Sequence, residues 1–327
     1  MPARLFILLL LLPFAGCNDM QSALSPQGPQ AESLRALFWT MTAGGAAILV
    51  IVLGFVGVAL LGPPRLRERL STNAIVIGGG VIFPVVTLSV LLIHNFWLLG
   101  SGAGPVAGDA PIRISVSGER WWWRVSYRLA HGATFETTNE VRIPIGHTVE
   151  LELTSADVIH SFWAPRLAGK LDMFPGRQTR LRLIADKPGV SRGQCAEYCG
   201  GAHAMMAFNV VAMPRAEYAQ WLNSQAAVAS APTDAAAKAG QGDFISSGCG
   251  VCHAIRGTLA VGSLGPDLTH VASRIAIGAG VLPADQASIA GWIVENQHIK
   301  PGNKMPGYDN LSGEKVAAIS AYLAGLR

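Results

Sequence analysis

The segment Gly193-Gln194-Cys195-Ala196-Glu197-Tyr198-Cys199-Gly200-Gly201-Ala202-His203-Ala204-Met205-Met206 packs two thiols, an imidazole and a thioether into one short loop. A second imidazole, His160, follows the alternating stretch that contains Leu151 and Leu153. Soft thiolate and thioether donors beside imidazole suit copper. Two thiolates can bridge two copper ions with one histidine on each, Met206 lying axial to one ion and the main-chain carbonyl of Glu197 to the other. Sharing the thiolates spreads one electron over both metals, so little geometry changes on oxidation. On ligand types alone, a tetrahedral zinc site made of Cys195, Cys199, His203 and His160 stands as the alternative. Zinc has no use for Met206.

Around this loop the pattern has period two. Ile112, Ile114 and Val116 alternate with Arg113, Ser115 and Ser117; Val149, Leu151 and Leu153 alternate with Glu150, Glu152 and Thr154; Leu181 and Leu183 alternate with Arg180 and Arg182. Such alternation predicts half-buried strands, and turn residues such as Lys187-Pro188-Gly189 separate them. Residues 111–222 therefore read as an all-β sandwich or Greek-key barrel.

Upstream, the chain is apolar. Only 14% of its 327 residues are charged, and no charge falls between Arg35 and Arg65. Two runs, about 38–61 and 74–99, are each long enough to cross a bilayer. The connection between them carries Arg65, Arg67 and Arg69, which the positive-inside rule places in the cytoplasm, with both flanking ends outside. Residues 1–16 read as a signal peptide, and Phe14-Ala15-Gly16-Cys17 resembles a lipobox whose Cys17 is the lipidated residue. Residues 100–110, rich in Gly, Ala and Pro, read as a linker. A net charge of +4 without any Lys/Arg-rich run gives no surface for tracking nucleic acid.

Downstream, residues 223–238 are rich in Ala, Ser and Gln and read as a second linker. Beyond it stands Cys249-Gly250-Val251-Cys252-His253, the covalent attachment motif of a c-type haem. The two thiols add to the haem vinyl groups, and the adjacent imidazole reaches the iron. Met305 is the only methionine after Met213 and lies in the irregular Lys304-Met305-Pro306-Gly307, which makes it the candidate sixth ligand. His270 and His298 are its rivals. Residues 313–326 predict a closing amphipathic helix with Val316, Ile319 and Leu323 on one face.

Two resemblances join these parts. Asp157-Val158-Ile159-His160-Ser161-Phe162-Trp163, Lys170, Asp172, Pro175-Gly176-Arg177 and the loop 193–206 resemble the copper A domain of subunit II of haem–copper cytochrome c oxidases, as does the apolar hairpin. Gly265-Pro266-Asp267-Leu268, Trp292 and the closing helix resemble a class I cytochrome c, the arrangement of bacterial caa-type oxidases. The resemblance implies a multi-domain chain: a transmembrane hairpin within 17–110, a cupredoxin-like β domain over 111–222 and a small all-α cytochrome c domain over 239–327. It assigns His160, Cys195, Cys199, His203, Met206 and the carbonyl of Glu197 to copper A, with the Glu197 carboxylate facing a magnesium ion shared with subunit I. It assigns Cys249, Cys252, His253 and Met305 to haem c. Trp121-Trp122-Trp123 matches the family's aromatic patch, and Trp121 is the position where electrons come in. The expected partners are oxidase subunit I and further oxidase subunits, cytochrome c or another electron donor, and the bacterial inner membrane. A quinol oxidase subunit lacks the copper ligands present here, a copper-delivery or assembly protein needs no haem, and a nitric oxide reductase subunit of similar build remains the alternative.

Overall fold

The alternating segments form strands because each carries one apolar and one polar face. In the computed structural model, which describes residues 19–102 and 111–327, they build two five-stranded sheets. One has the order β3-β2-β1-β5-β8, from Thr134–Thr138 (β3), Trp122–Arg128 (β2), Ile112–Glu119 (β1), Val149–Ser155 (β5) and Thr179–Leu183 (β8). The other has the order β4-β10-β9-β6-β7, from Glu140–Pro144 (β4), Ala207–Met213 (β10), Gly189–Cys195 (β9), His160–Trp163 (β6) and Leu171–Met173 (β7). Ile114, Val116, Leu151, Leu153 and Leu183 all point inward and are fully buried. Trp123, Phe162 and Phe208 meet them from the two sheets, with ring centroids 4.2–5.8 Å apart, contacts worth about 0.5–1.5 kcal/mol per aromatic pair beyond the area they bury.

A second core follows in sequence. Helices Ala235–Ser246, Gln286–Ile299 and Gly313–Ala324 enclose Phe244, Ile255, Ile289, Ile319, Tyr322 and Leu323. Each helix starts on a side-chain cap: Asp234 accepts from Ala237 N at 2.8 Å, Asp285 from Ser288 N at 2.8 Å and Ser312 from Lys315 N at 3.4 Å. The first and last helices cross at Gly240, where any Cβ would collide with the main chain of Ala318. Val316, Ile319 and Leu323 are buried, as the period of the closing helix requires.

Between the two cores the sequence reading and the structure differ. Residues 223–226 continue a helix, Arg215–Ala226, whose Tyr218 and Trp221 pack on the β-domain core. Only 227–234 lies between helices. Composition marked the stretch as loose, but the aromatic anchors before it carry the helix further.

Residues 29–105 form a separate unit. Helix Pro29–Leu61 and the helical stretch Asn73–Leu98 are both long and apolar enough to cross a membrane. Between them, Pro64–Leu70 is a short helix carrying the three arginines. The first long helix begins at Pro29 rather than near 38, because proline suits a helix start and Glu32 pairs with Arg35 one turn on. The second relaxes into a π turn at Gly78–Ile82, where three consecutive glycines hold the backbone least firmly. Residues 1–16, Cys17 and the end of the expected 100–110 linker lie outside the described residues.

Candidate metal centre and haem site

Cys195 ends β9, Cys199 lies in the loop after it, and Met206 directly precedes β10. Because β9 and β10 are antiparallel neighbours, closed by Cys195 N donating to Met206 O at 2.9 Å, the loop returns its thioether beside its thiols. His160 opens β6, which pairs with β9 through Phe162 and Cys195. The donor atoms converge accordingly. Cys195 Sγ lies 3.8 Å from Cys199 Sγ and 3.7 Å from His160 Nδ1. Cys199 Sγ lies 3.4 Å from His203 Nδ1 and 3.8 Å from Met206 Sδ. The Glu197 carbonyl accepts from Cys195 Sγ at 3.2 Å. One imidazole thus faces each thiol, with the thioether on one side of the pair and the carbonyl on the other. His160, Cys195, Cys199 and Met206 are buried, so any ion they hold is screened from water.

The electrostatics suit a cation. Hydrogen bonding from Cys199 draws the Cys195 thiol down to about 4, and the same contact drives Cys199 up, so without a metal the pair would share one thiolate and one thiol. A metal releases the remaining proton. Burial opposes charge on His160, but its contacts with Cys195 and Asp157 outweigh that and raise its pKa.

Asp157 lies directly behind His160. His160 Nε2 lies 2.9 Å from Asp157 Oδ1, which leaves Nδ1 to face the thiols. The same carboxylate accepts from Val158 N at 2.8 Å and Arg120 N at 2.9 Å. A carboxylate behind a ligating histidine sets its tautomer and its basicity.

β2 begins only at Trp122, and Trp121 sits in the β1–β2 turn. Trp123 is fully buried in the core. The Trp121 indole instead lies on the metal loop and donates from Nε1 to Cys199 O at 3.0 Å. The Glu197 carboxylate points elsewhere, half exposed, with Lys170 Nζ 3.9 Å away.

In the helical domain, Cys249 and Cys252 occupy a one-turn helix, Cys249–Cys252, and His253 follows directly. His253 Nδ1 lies 2.8 Å from Pro266 O, a contact that turns Nε2 outward as a ligand atom. Gly265 makes room for the ring: a Cβ there would lie 2.6 Å from it. Burial pushes the His253 pKa down, so it stays neutral and able to ligate. Around the motif Val251, Leu259, Val261 and Leu264 are strongly exposed, an apolar rim of the kind a haem plane covers. Of the three candidates for the sixth ligand, His270 is buried with both ring nitrogens on carbonyls, Arg327 O at 2.8 Å and Ala227 O at 3.1 Å. His298 is exposed and paired with Glu295 at 2.6 Å. Met305 is half-buried, and Asn303 and Gln297 hold its main chain at 2.9 and 2.6 Å, leaving the thioether uncommitted.

Comparison with known proteins agrees with both halves. The family described as "Cytochrome C oxidase subunit II, periplasmic domain" matches residues 127–213, and the family "Cytochrome c" matches residues 237–327. Cytochrome c oxidase subunit 2 of Alkalihalophilus pseudofirmus is 33% identical over 330 residues, covering 97% of this chain and 95% of the relative. The subunit 2 of Bacillus subtilis is 28% identical, with 99% and 98% covered. Among solved structures, the periplasmic domain of subunit II of the Bradyrhizobium japonicum oxidase is 28% identical at a TM-score of 0.34, covering 37% of this chain and 96% of that one. The chain belongs to the family of cytochrome c oxidase subunit 2, in the form that carries its own cytochrome c domain.

Proposed function

We propose that this chain is the electron-input subunit of a terminal oxidase, taking electrons at a covalent haem c, passing them to a dinuclear copper A centre and on to the haems of subunit I, where oxygen is reduced to water. The observation that carries this reading is the convergence of two thiols, two imidazoles, a thioether and a carbonyl in a largely buried cluster, in the same folded unit as a Cys-x-x-Cys-His motif. When bound, two coppers sharing one electron supply transfer with little rearrangement.

In this reading Cys195, Cys199, His160, His203, Met206 and the Glu197 carbonyl would together hold the two coppers, which would supply one-electron transfer. The buried thioether beside Cys199 favours copper over zinc, which has no place for it. Strands β6 and β9 hold the ligands in register, so they reorganise little between redox states. Cys249 and Cys252 would attach the haem, and His253 and Met305 would ligate its iron. The Glu197 carboxylate faces a magnesium ion shared with subunit I, and Trp121 passes electrons toward Cys199.

The domain plan is a signal peptide at 1–16, a hairpin anchor within 17–110, the copper domain from 111 through the helix that ends at Ala226, a connection at 227–234 and the cytochrome domain from Ala235 to 327. The anchor lies in the bacterial inner membrane with Arg65, Arg67 and Arg69 cytoplasmic and both soluble domains outside, and Cys17 carries lipid. Subunit I and other oxidase subunits are the partners, and cytochrome c or another carrier is the donor. Metal and haem analysis of the purified chain tests the assignment. Two coppers and one covalent haem per chain support it; stoichiometric zinc, or haem lost on denaturation, overturns it.

A further inference from the structure

The copper domain and the cytochrome domain share a polar seam, and its centre is a lysine that no motif singles out. Lys300 ends the helix Gln286–Ile299 and is almost completely buried. Among the described residues no carboxylate pairs with it. Its ammonium instead donates to three carbonyls: Trp121 O at 2.6 Å and Met205 O at 2.9 Å in the copper domain, and Gly278 O at 3.0 Å in its own. An ammonium has three donors and no acceptor, so these contacts satisfy it completely. The two carbonyls it reaches across the seam belong to the tryptophan on the metal loop and to the residue just before Met206.

Neighbouring residues follow the same line. A Cβ added at Gly302, at φ +77°, would lie 3.5 Å from the Trp121 ring, so the bare backbone of the cytochrome loop rests on the indole. The metal loop touches that indole through Gly200 and Gly201. Lys304 Nζ lies 3.7 Å from Asp157 Oδ2, the carboxylate behind His160. Ala207 N donates to Ala279 O at 3.1 Å, and Ile275 N to the buried Glu140 at 2.9 Å. The loop 300–305, which ends at Met305, is therefore the part of the cytochrome domain that sits on Trp121.

We propose that Lys300 is the positioning residue that seats the cytochrome domain on the copper domain, and that this seat closes the Trp121 face to every donor except the chain's own haem. The seat is selective because a buried ammonium tolerates only a placement that supplies all its acceptors. Removing it also strands the carbonyls of Trp121 and Met205 without a donor. The electron-input role of Trp121 rests on the proposed function; the seat itself does not.

The test uses the full-length chain in its purified complex, with Lys300→Met and Lys300→Gln beside wild type. Hydroxyl-radical footprinting read by peptide mass spectrometry reports the reactivity of Trp121, with buried Trp123 as the internal standard. Losing two charge-assisted bonds across the seam lowers the docking equilibrium on the order of a hundredfold. Trp121, partly buried in the docked chain, is then expected to react weakly in wild type, though more than fully buried Trp123, about tenfold more strongly in Lys300→Met, and at an intermediate rate in Lys300→Gln, whose amide keeps part of the bonding. Haem-to-copper transfer after flash reduction is expected to fall at least about tenfold with both absorption spectra unchanged, since only the docked population transfers. Trp121 as reactive in wild type as in Lys300→Met, in variants that keep their wild-type spectra, overturns the proposal. Should Lys300→Met not fold, Lys300→Gln and wild type decide by the same criteria. Missing copper or haem signals in wild type refute the proposed function instead, since footprinting needs neither group.

Discussion

Replacing Asp157 with asparagine isolates what the carboxylate behind His160 contributes. Oδ1 takes Val158 N at 2.8 Å and His160 Nε2 at 2.9 Å, while Oδ2 takes Arg120 N at 2.9 Å. An asparagine keeps one oxygen for the first two donors, but its NH2 then meets the Arg120 N–H, donor against donor. His160 also loses the negative charge that makes its Nδ1 a stronger donor. Losing such a partner lowers metal affinity 10–100-fold, or about 1.4–2.7 kcal/mol. Competition between the chain and a copper chelator measures this, and the haem domain is expected to stay intact. The carboxylate has a second signature in the metal-free chain. Burial raises the Asp157 pKa, but the bonds from Arg120 N, His160 and Val158 N outweigh it and lower the value below the ordinary 3.8. A depressed carboxylate stabilises the fold above its unfolded value and stops doing so as pH falls through the folded one. That contribution to the acid limb, lying below about pH 4, is expected to be lost in Asp157→Asn, which leaves a shallower limb from carboxylates such as Asp172 and Asp285. Wild-type copper affinity in the variant would refute the orienting role.

Met305→His is expected to keep the haem covalently attached and lower its potential in a redox titration, because histidine replaces a softer thioether. An unchanged potential and spectrum would mean that Met305 is not the ligand. Gly240→Val, driven into the Ala318 main chain where the first and last helices cross, is expected to cost roughly 3 kcal/mol or more, read as a lower unfolding midpoint of the haem absorbance. In the metal-free chain, alkylation of Cys195 is expected to persist down to about pH 4, while Cys199 reacts only at alkaline pH.

Much of this was legible because the signals are local. Alternation at 112–117 and 149–154 marks strands whatever surrounds them, and Cys249-x-x-Cys252-His253 names its cofactor by spacing alone. The candidate copper ligands stand out as a set because five of them fall within one loop. What stayed hidden depends on partners distant in sequence. Trp121 stands out in the sequence only through the aromatic patch, and that the β1–β2 turn lays its indole on Cys199 is visible only in the fold. His270 was a fair rival to Met305 until the fold committed both its ring nitrogens, one of them to the last residue of the chain. Lys300 carries no signal at all: a lysine at a helix end is ordinary, and only the docked domains show it buried among carbonyls from two of them. Asp157 stood next to the motif, yet its role needs the strand geometry that brings it behind His160.

The central claim is that Cys195 and Cys199 together bridge two coppers. Electron spin resonance of the oxidised, fully loaded chain tests it most directly. The account predicts a hyperfine pattern from one electron shared by two equivalent copper nuclei, abolished when either cysteine is replaced by serine and kept, with altered splitting, in Met206→Leu. A single-copper pattern from the fully loaded wild type would contradict it.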